Sequence, residues 1–142
     1  MIYRYALSYL ETWKKNPMRK PLILRGARQV GKTTLVENFA TEFDCFLKLN
    51  LDEEEDRLLF TRYKEIHRLI EAIFFHLQKN PTEGSTLLFI DEIQNSPEAV
   101  AILRYFHEKR PDIYVIAAGS LLENVIDRKI SFPVGRVEYM AL

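Results

Sequence analysis

Eight residues near the amino terminus have the spacing of a loop that holds phosphate groups. The segment Gly26-Ala27-Arg28-Gln29-Val30-Gly31-Lys32-Thr33 fits the pattern G-x-x-x-x-G-K-[ST]. Glycines let the backbone fold closely around phosphate oxygens, and the N–H groups of the following helix start point at the anion. Lys32 is expected to reach the β- and γ-phosphates, the Thr33 hydroxyl to bind Mg²⁺, and Thr34 to be a candidate contact for the α-phosphate. The segment therefore predicts a binding site for a nucleoside triphosphate.

An acidic pair stands at the end of a later apolar run. Asp91 and Glu92 follow Leu87-Leu88-Phe89-Ile90, which predicts a buried strand. A carboxylate at such a strand end can hold Mg²⁺, and the next carboxylate can polarise an attacking water as a general base. Taken alone, the pair could be two acids at a helix start. Combined with the phosphate loop, the favoured roles are Asp91 as metal ligand and Glu92 as base, which indicate hydrolysis rather than binding alone.

Several other polar residues can be interpreted either as functional or as purely structural. Ser120 follows the fourth predicted strand, where it could orient the attacking water; it could equally be the N-cap of a helix that it begins. Arg136 could stabilise transition-state charge as an arginine finger, although most loop arginines are surface residues. The acids from Asp52 to Asp56 are interpreted as a solvated helix start. The three histidines lack the spacing of metal ligands.

Helical and extended patterns alternate along the chain. Apolar residues at helical spacing up to Trp13, ended by Asn16-Pro17, predict a first helix within residues 1–18 that packs on the core, in preference to a separate partner-binding helix. Further helices are predicted from 32 onward, over 54–62 and 64–79, and from the cap Ser96-Pro97-Glu98 to about 109; strands are predicted over 21–24, 46–51, 86–91, 113–118 and 132–142. This alternation favours a three-layer α/β fold with a parallel sheet.

Length and composition indicate one folded domain over residues 1–142. The 20 Lys+Arg balance the 20 Asp+Glu, so bulk charge does not indicate a nucleic-acid partner. Cys45 is the only cysteine, which excludes an intramolecular disulfide. No apolar run has the length of a membrane span, and Met1 is not followed by a signal peptide. The expected location is therefore the cytoplasm, without a membrane partner.

Five segments, in this order, give the chain a family resemblance. They are Leu24-Arg25-Gly26-Ala27-Arg28-Gln29-Val30-Gly31-Lys32-Thr33-Thr34-Leu35, Asn50-Leu51-Asp52, Phe89-Ile90-Asp91-Glu92-Ile93-Gln94, Ala118-Gly119-Ser120-Leu121-Leu122-Glu123 and Phe132-Pro133-Val134-Gly135-Arg136-Val137. Together they resemble the AAA domain of a prokaryotic family of AAA+-superfamily ATPases. The Arg-Gln-Val insert of the loop and the Asp-Glu-Ile-Gln strand end are the specific parts, because the phosphate-loop pattern alone occurs much more widely.

The resemblance implies a P-loop NTPase fold of the ASCE class, with the strand order 5-1-4-3-2 and with ATP and Mg²⁺ as ligands. It assigns Lys32, Thr33, Asp91 and Glu92 to the roles above, and Ser120 to the sensor position of the fourth strand. Family members usually continue into a lid or winged-helix region and a C-terminal domain often likened to restriction endonucleases. The chain is therefore expected to be an N-terminal fragment, with those domains and further copies of itself, in a homo-oligomer, as candidate partners.

The leading hypothesis is a Mg²⁺-dependent ATP-hydrolysing domain. The alternative is a nucleotide-dependent switch or scaffold that binds ATP with negligible hydrolysis. Glu92 counts against this alternative, and the lack of an assured arginine finger counts for it. A small-molecule kinase is disfavoured because no lid of clustered arginines is evident, and a GTPase because no Asn-Lys-x-Asp segment occurs.

Overall fold

Helices and strands alternate through the computed structural model, which describes residues 2–26, 31–119, 132–133 and 135–142. The helices are α1 (Ile2–Lys15), α2 (Lys32–Phe39), α3 (Glu54–Arg62), α4 (Ile66–His76) and α5 (Pro97–Lys109). The strands are β1 (Leu22–Arg25), β2 (Cys45–Asn50), β3 (Thr86–Asp91), β4 (Ile113–Ala118) and β5 (Glu138–Ala141). Short 3-10 helices, Ala40–Glu42 and Ile93–Asn95, follow α2 and β3.

Most predicted elements are present, and two are shorter than predicted. The helix predicted over 64–79 is confined to α4, and the strand predicted over 132–142 is confined to β5. The helix predicted to begin at Ser120 lies outside the described residues. Among the helices that the structure describes, none is long and apolar enough to cross a bilayer.

The described strands form one parallel sheet in the order β2-β3-β4-β1-β5. This confirms the predicted α/β class and the order 5-1-4-3-2. Leu22 of β1 pairs with Ile116 of β4 and with Glu138 of β5, and Thr86 of β3 pairs with Ile113 of β4. Because parallel strands end at the same edge, the residues that follow β1, β3 and β4 are brought to one side of the sheet.

Helices cover both faces of the sheet, so successive side chains of each strand enter two different apolar cores. On one face, Leu88 and Ile90 of β3 pack with side chains from α3, α4 and α5. On the other face, Leu87 and Phe89 pack with side chains from α1 and α2. The near-continuous apolar sequence of β3 is the consequence of this two-sided burial.

The apolar side chains along one side of α1 pack into the core that also contains α2. Leu10 and Trp13 are buried, and the Trp13 ring centroid lies 6.4 Å from that of Phe39 and 5.9 Å from that of Tyr114. The Trp13 indole Nε1 donates a hydrogen bond to the Lys20 carbonyl at 2.8 Å. The ring is therefore buried without leaving its polar atom unsatisfied.

Candidate functional site

The phosphate loop predicted from the sequence lies between β1 and α2. Gly26 follows β1, and Gly31 precedes α2 with a φ of 78°, in the left-handed region that favours glycine. Lys32 is 6% exposed, and its Nζ donates a hydrogen bond to the Gly26 carbonyl at 2.5 Å. The ammonium group is thus held beside Gly26 at the amino end of α2, where backbone N–H groups carry partial positive charge.

Part of the predicted site lies outside the described residues. This part consists of Ala27, Arg28, Gln29, Val30 and Ser120. Of their neighbours, Thr34 is exposed on α2 and Gly119 is buried directly after β4. The contacts expected of these residues with phosphate stay predictions.

The two residues predicted to hold the metal lie next to each other. Asp91 ends β3, and Thr33 is the second residue of α2. Thr33 Oγ1 donates a hydrogen bond to Asp91 Oδ2 at 3.1 Å, although 58 positions separate the two residues in sequence. The fold therefore brings together the hydroxyl and the carboxylate that the two motifs predict for one cation.

This pair of oxygen ligands fits a Mg²⁺ ion that is shared with phosphate groups. Within the described ranges, no group of three or more His, Cys, Asp or Glu side chains could hold a metal by itself. Mg²⁺ prefers oxygen and usually keeps several waters beside one or two carboxylates and substrate phosphates. Thr33 and Asp91 supply such a partial set, which a nucleotide would complete.

Burial raises the pKa of the Asp91 carboxyl above its ordinary value. The nearby Glu92 carboxylate raises the pKa further. Hydrogen bonds from the Glu92 N–H, at 2.9 Å, and from the Thr33 hydroxyl act in the opposite direction, as does the charge of Lys48. The protein's own groups thus compensate the negative charge only in part, as expected for a ligand of a cation.

Glu92 begins a tight turn after β3 in an uncommon backbone conformation. Its φ of 53° and ψ of 46° lie in the left-handed region, which costs about 1–2 kcal/mol for a residue with a Cβ atom. The residue is 9% exposed, and the chain enters the 3-10 helix Ile93–Asn95 directly after it. Strained backbone of this kind is concentrated at functional sites, which supports Glu92 as a candidate base.

Arg136, the candidate arginine finger, contacts a carboxylate of its own chain. Its Nε donates a hydrogen bond to Glu108 Oε2 at 3.0 Å, near the end of α5. Arg104 Nη2 lies 3.6 Å from the same oxygen. The hydrogen bond from Arg136 is the main cause that lowers the pKa of the Glu108 carboxyl. A contact between Arg136 and phosphate stays a prediction.

A hydrogen-bonded network that no sequence pattern predicted lies beside Asp91. Asn50, at the end of β2, pairs with Asp91 in the sheet register. Asp56 accepts a hydrogen bond from the Asn50 N–H at 2.8 Å, and its other oxygen lies 2.7 Å from His76 Nε2. The interpretation of the acidic run as solvated is therefore wrong for Asp56. The sequence signal for this network was that each of two adjacent strands ends in a polar residue, Asn50 in β2 and Asp91 in β3.

Comparisons with known proteins place the chain among proteins of similar fold. A family model described as an AAA domain matches residues 18–142. The Walker-type ATPase PABY2304 of Pyrococcus abyssi is similar with a TM-score of 0.60 and 18% identity, over 96% of this chain and 52% of that chain. PCH-2 of C. elegans is similar with a TM-score of 0.54 and 14% identity, over 99% of this chain and 41% of that chain. The chain thus spans about half the length of these two proteins or less. No curated protein matches it in sequence.

Proposed function

This chain belongs to the AAA domain family, and on that premise we propose that it binds ATP together with Mg²⁺ and hydrolyses the ATP. Family and fold make it an ATPase-like, nucleotide-binding domain. The observation that carries the further step is the contact between Thr33 and Asp91, whose oxygens can share one Mg²⁺ ion. Mg²⁺ bound there would offset negative charge on the phosphate oxygens.

Phosphate binding is proposed for the loop from Gly26 to Thr34. Backbone N–H groups at the amino end of α2 would donate hydrogen bonds to phosphate oxygens. The Lys32 ammonium, already buried beside Gly26, would pair with the β- and γ-phosphates. Burial strengthens this pairing because little water competes for either charge.

Hydrolysis is proposed to depend on Glu92 as a general base. Glu92 would take a proton from a water whose oxygen forms the new bond to the γ-phosphorus, while the bond from that phosphorus to the ADP oxygen breaks. Glu92 directly follows Asp91, and its charge acts on the Asp91 carboxyl, which supports a place beside the proposed metal ligand. Ser120, which follows β4 by two residues, is proposed as the polar contact to the γ-phosphate, on the family resemblance.

Steady-state phosphate release from Mg²⁺-ATP tests the role of Glu92. Glu92→Gln keeps the size of the side chain and removes the base, so turnover should fall by about 10²–10⁴-fold, while ATP affinity measured by calorimetry is retained. Lys32→Ala should instead weaken ATP binding itself. Equal turnover in wild type and Glu92→Gln would refute the base, and an absence of ATP binding by the wild type would refute the site.

A switch that binds ATP with negligible hydrolysis is the second candidate. The favouring observation is that Arg136 contacts Glu108 of its own chain, because phosphate hydrolysis without an arginine finger can be very slow. Tight ATP binding with no phosphate release above the Glu92→Gln background would select the switch.

Partners and location are proposed from the same resemblance. The part of a longer protein that would follow residue 142, and further copies of this chain, are the proposed partners. The cytoplasm, where ATP is abundant, is the proposed location.

A further inference from the structure

The turn that carries Glu92 is closed by its own backbone hydrogen bonds. Asn95 N donates to the Glu92 carbonyl at 3.1 Å, and Ser96 N donates to the Ile93 carbonyl at 3.0 Å. The Ile93 side chain is fully buried and fixes the inner side of the turn in the core. These contacts shape the turn, but they do not connect its outer side to the segment that follows the neighbouring strand β2.

Asn95 makes that connection through its side chain. Its Nδ2 donates a hydrogen bond to Asp52 Oδ1 at 2.7 Å and a longer one to the Leu51 carbonyl at 3.3 Å. Both partners are acceptors, so only the amide nitrogen of Asn95 can face them. The bond to Asp52 is short and charge-assisted, which makes it the stronger of the two.

The segment that Asn95 contacts is itself well fixed. Leu51 N donates to the Asp91 carbonyl at 2.9 Å, and Asp52 N donates to Asn50 Oδ1 at 3.0 Å. Arg57 Nη1 donates to the carbonyls of Leu51 and Asp52 at 2.9 and 2.8 Å. The connection between β2 and α3 is therefore a rigid support beside Asp91, on which the outer side of the turn rests.

We infer that Asn95 is a positioning residue, which together with Asp52 holds the turn so that Glu92 keeps its left-handed conformation beside the metal ligands. The inference rests on the proposed role of Glu92 as base. Asn95 and Asp52 are both exposed, so their contact adds little apolar burial to the fold. Its loss should therefore disturb the turn far more than it destabilises the protein.

An exchange of the two side chains tests this inference in the 142-residue chain. Asn95→Asp places a carboxylate against Asp52, and we expect kcat to fall by about 10- to 100-fold, as for a small misplacement of a catalytic group, with ATP affinity and Tm nearly unchanged. Adding Asp52→Asn restores the shorter of the two hydrogen bonds in the reverse direction but not the bond to the Leu51 carbonyl, so part of the lost turnover should return.

Asn16→Asp is the matched control for added charge. Asn16 is exposed, lies after α1 outside the site, and accepts a hydrogen bond from Met18 N through its side-chain oxygen, which an aspartate can also do. The Asn16→Asp substitution should therefore leave turnover at the wild-type value. An active wild type whose turnover is unchanged by Asn95→Asp, or a double variant no faster than the single one, would overturn the inference.

Amide hydrogen exchange reads the turn without reference to hydrolysis. A peptide that covers residues 91–96 should exchange faster in Asn95→Asp than in wild type and more slowly in the double variant than in the single one, while β4 is unaffected. Unchanged exchange in this peptide would overturn the positioning role, whatever the turnover. If the wild type bound ATP but released no phosphate, the proposed hydrolysis would fail, and exchange would still decide the role of Asn95.

Discussion

At the end of β3, Asp91 is a carboxylate that burial makes costly to ionise, although its proposed role as a ligand of Mg²⁺ requires the ionised form. The fold offsets this cost in part through hydrogen bonds from Thr33 and from the Glu92 N–H. The same groups that favour the charged form also orient its two oxygens. At a pH above its raised pKa, Asp91 is therefore expected to lower the stability of the metal-free chain.

Asp91→Asn should for that reason stabilise the metal-free protein near neutral pH. Since the folded-state pKa of Asp91 is raised, wild type loses stability as pH rises through that pKa. The variant lacks this loss, and its amide can satisfy both neighbours: the oxygen accepts from the Glu92 N–H, and the nitrogen donates to the Thr33 hydroxyl, which can also accept. Thermal unfolding in EDTA across a pH series should show a higher Tm for the variant at about pH 8 and a shrinking difference as pH falls below the raised pKa.

Two further results would complete this comparison. The variant should lose Mg²⁺-dependent ATP binding, which calorimetry measures. A variant less stable than wild type at every pH would show that the hydrogen bonds of the carboxylate outweigh its burial cost.

Among the elements, α5 fixes the far end of the Glu92 turn. Its N-cap is Ser96, which is 3% exposed and whose Oγ accepts a hydrogen bond from Ala99 N at 3.0 Å. Val100 and Leu103 on the following turns enter the same core as Ile93. The turn is thus bounded by a buried strand before it and a capped helix after it.

Ser96→Ala should destabilise the protein by about 0.5–2 kcal/mol, because it leaves a backbone N–H of the first helical turn without its acceptor. Urea unfolding measures the change. Ser8→Ala is the control, since Ser8 is exposed within α1 and alanine there should change stability by less than about 0.5 kcal/mol. Equal effects of the two substitutions would contradict the capping role.

For the whole molecule, one of the two cores extends the folded unit beyond the segment that the family model covers. That segment begins at residue 18, whereas Leu10 and Trp13 of α1 are buried with Phe39 and Leu87 in one core. Therefore α1, which lies outside the family match, covers the face of the sheet on which Leu87 of β3 is buried.

Trp13→Ala should destabilise the protein by about 3–5 kcal/mol, the usual cost of truncating a buried aromatic side chain. Tyr5→Ala on the same helix is the control, because Tyr5 is 80% exposed and should contribute less than about 0.5 kcal/mol. Urea unfolding of both variants checks this. A cost below about 1 kcal/mol for Trp13→Ala would show that α1 adds little to the core.

Features that depend on neighbouring residues could be predicted from the sequence. β4 is an apolar run, and Ser96-Pro97-Glu98 is a local capping pattern. The strand order is not contained in such patterns, and its prediction came from the family resemblance. The meeting of Thr33 with Asp91 was predictable because each belongs to a motif with the same expected cation.

The contacts around the turn were not predictable in this way. Asn95 and Asp52 are 43 positions apart, and His76 and Asp56 are 20 positions apart. An isolated amide or acid has no periodicity or spacing that identifies its partner. The left-handed backbone of Glu92 likewise depends on its surroundings rather than on its own preference: β3 precedes it, Ile93 is buried after it, and the inferred support from Asn95 comes from a residue whose partner is distant in sequence.

The position of β4 in the sheet has a consequence for the time at which the site forms. β4 pairs with both β1 and β3, although the ribosome completes it after both. Before residues 113–118 are in place, the strands that precede Gly26 and Asp91 have no common neighbour that could align the proposed phosphate loop with the proposed metal ligand. Nucleotide would therefore bind only the finished sheet, and it would stabilise the native state by mass action without assisting the early steps of folding.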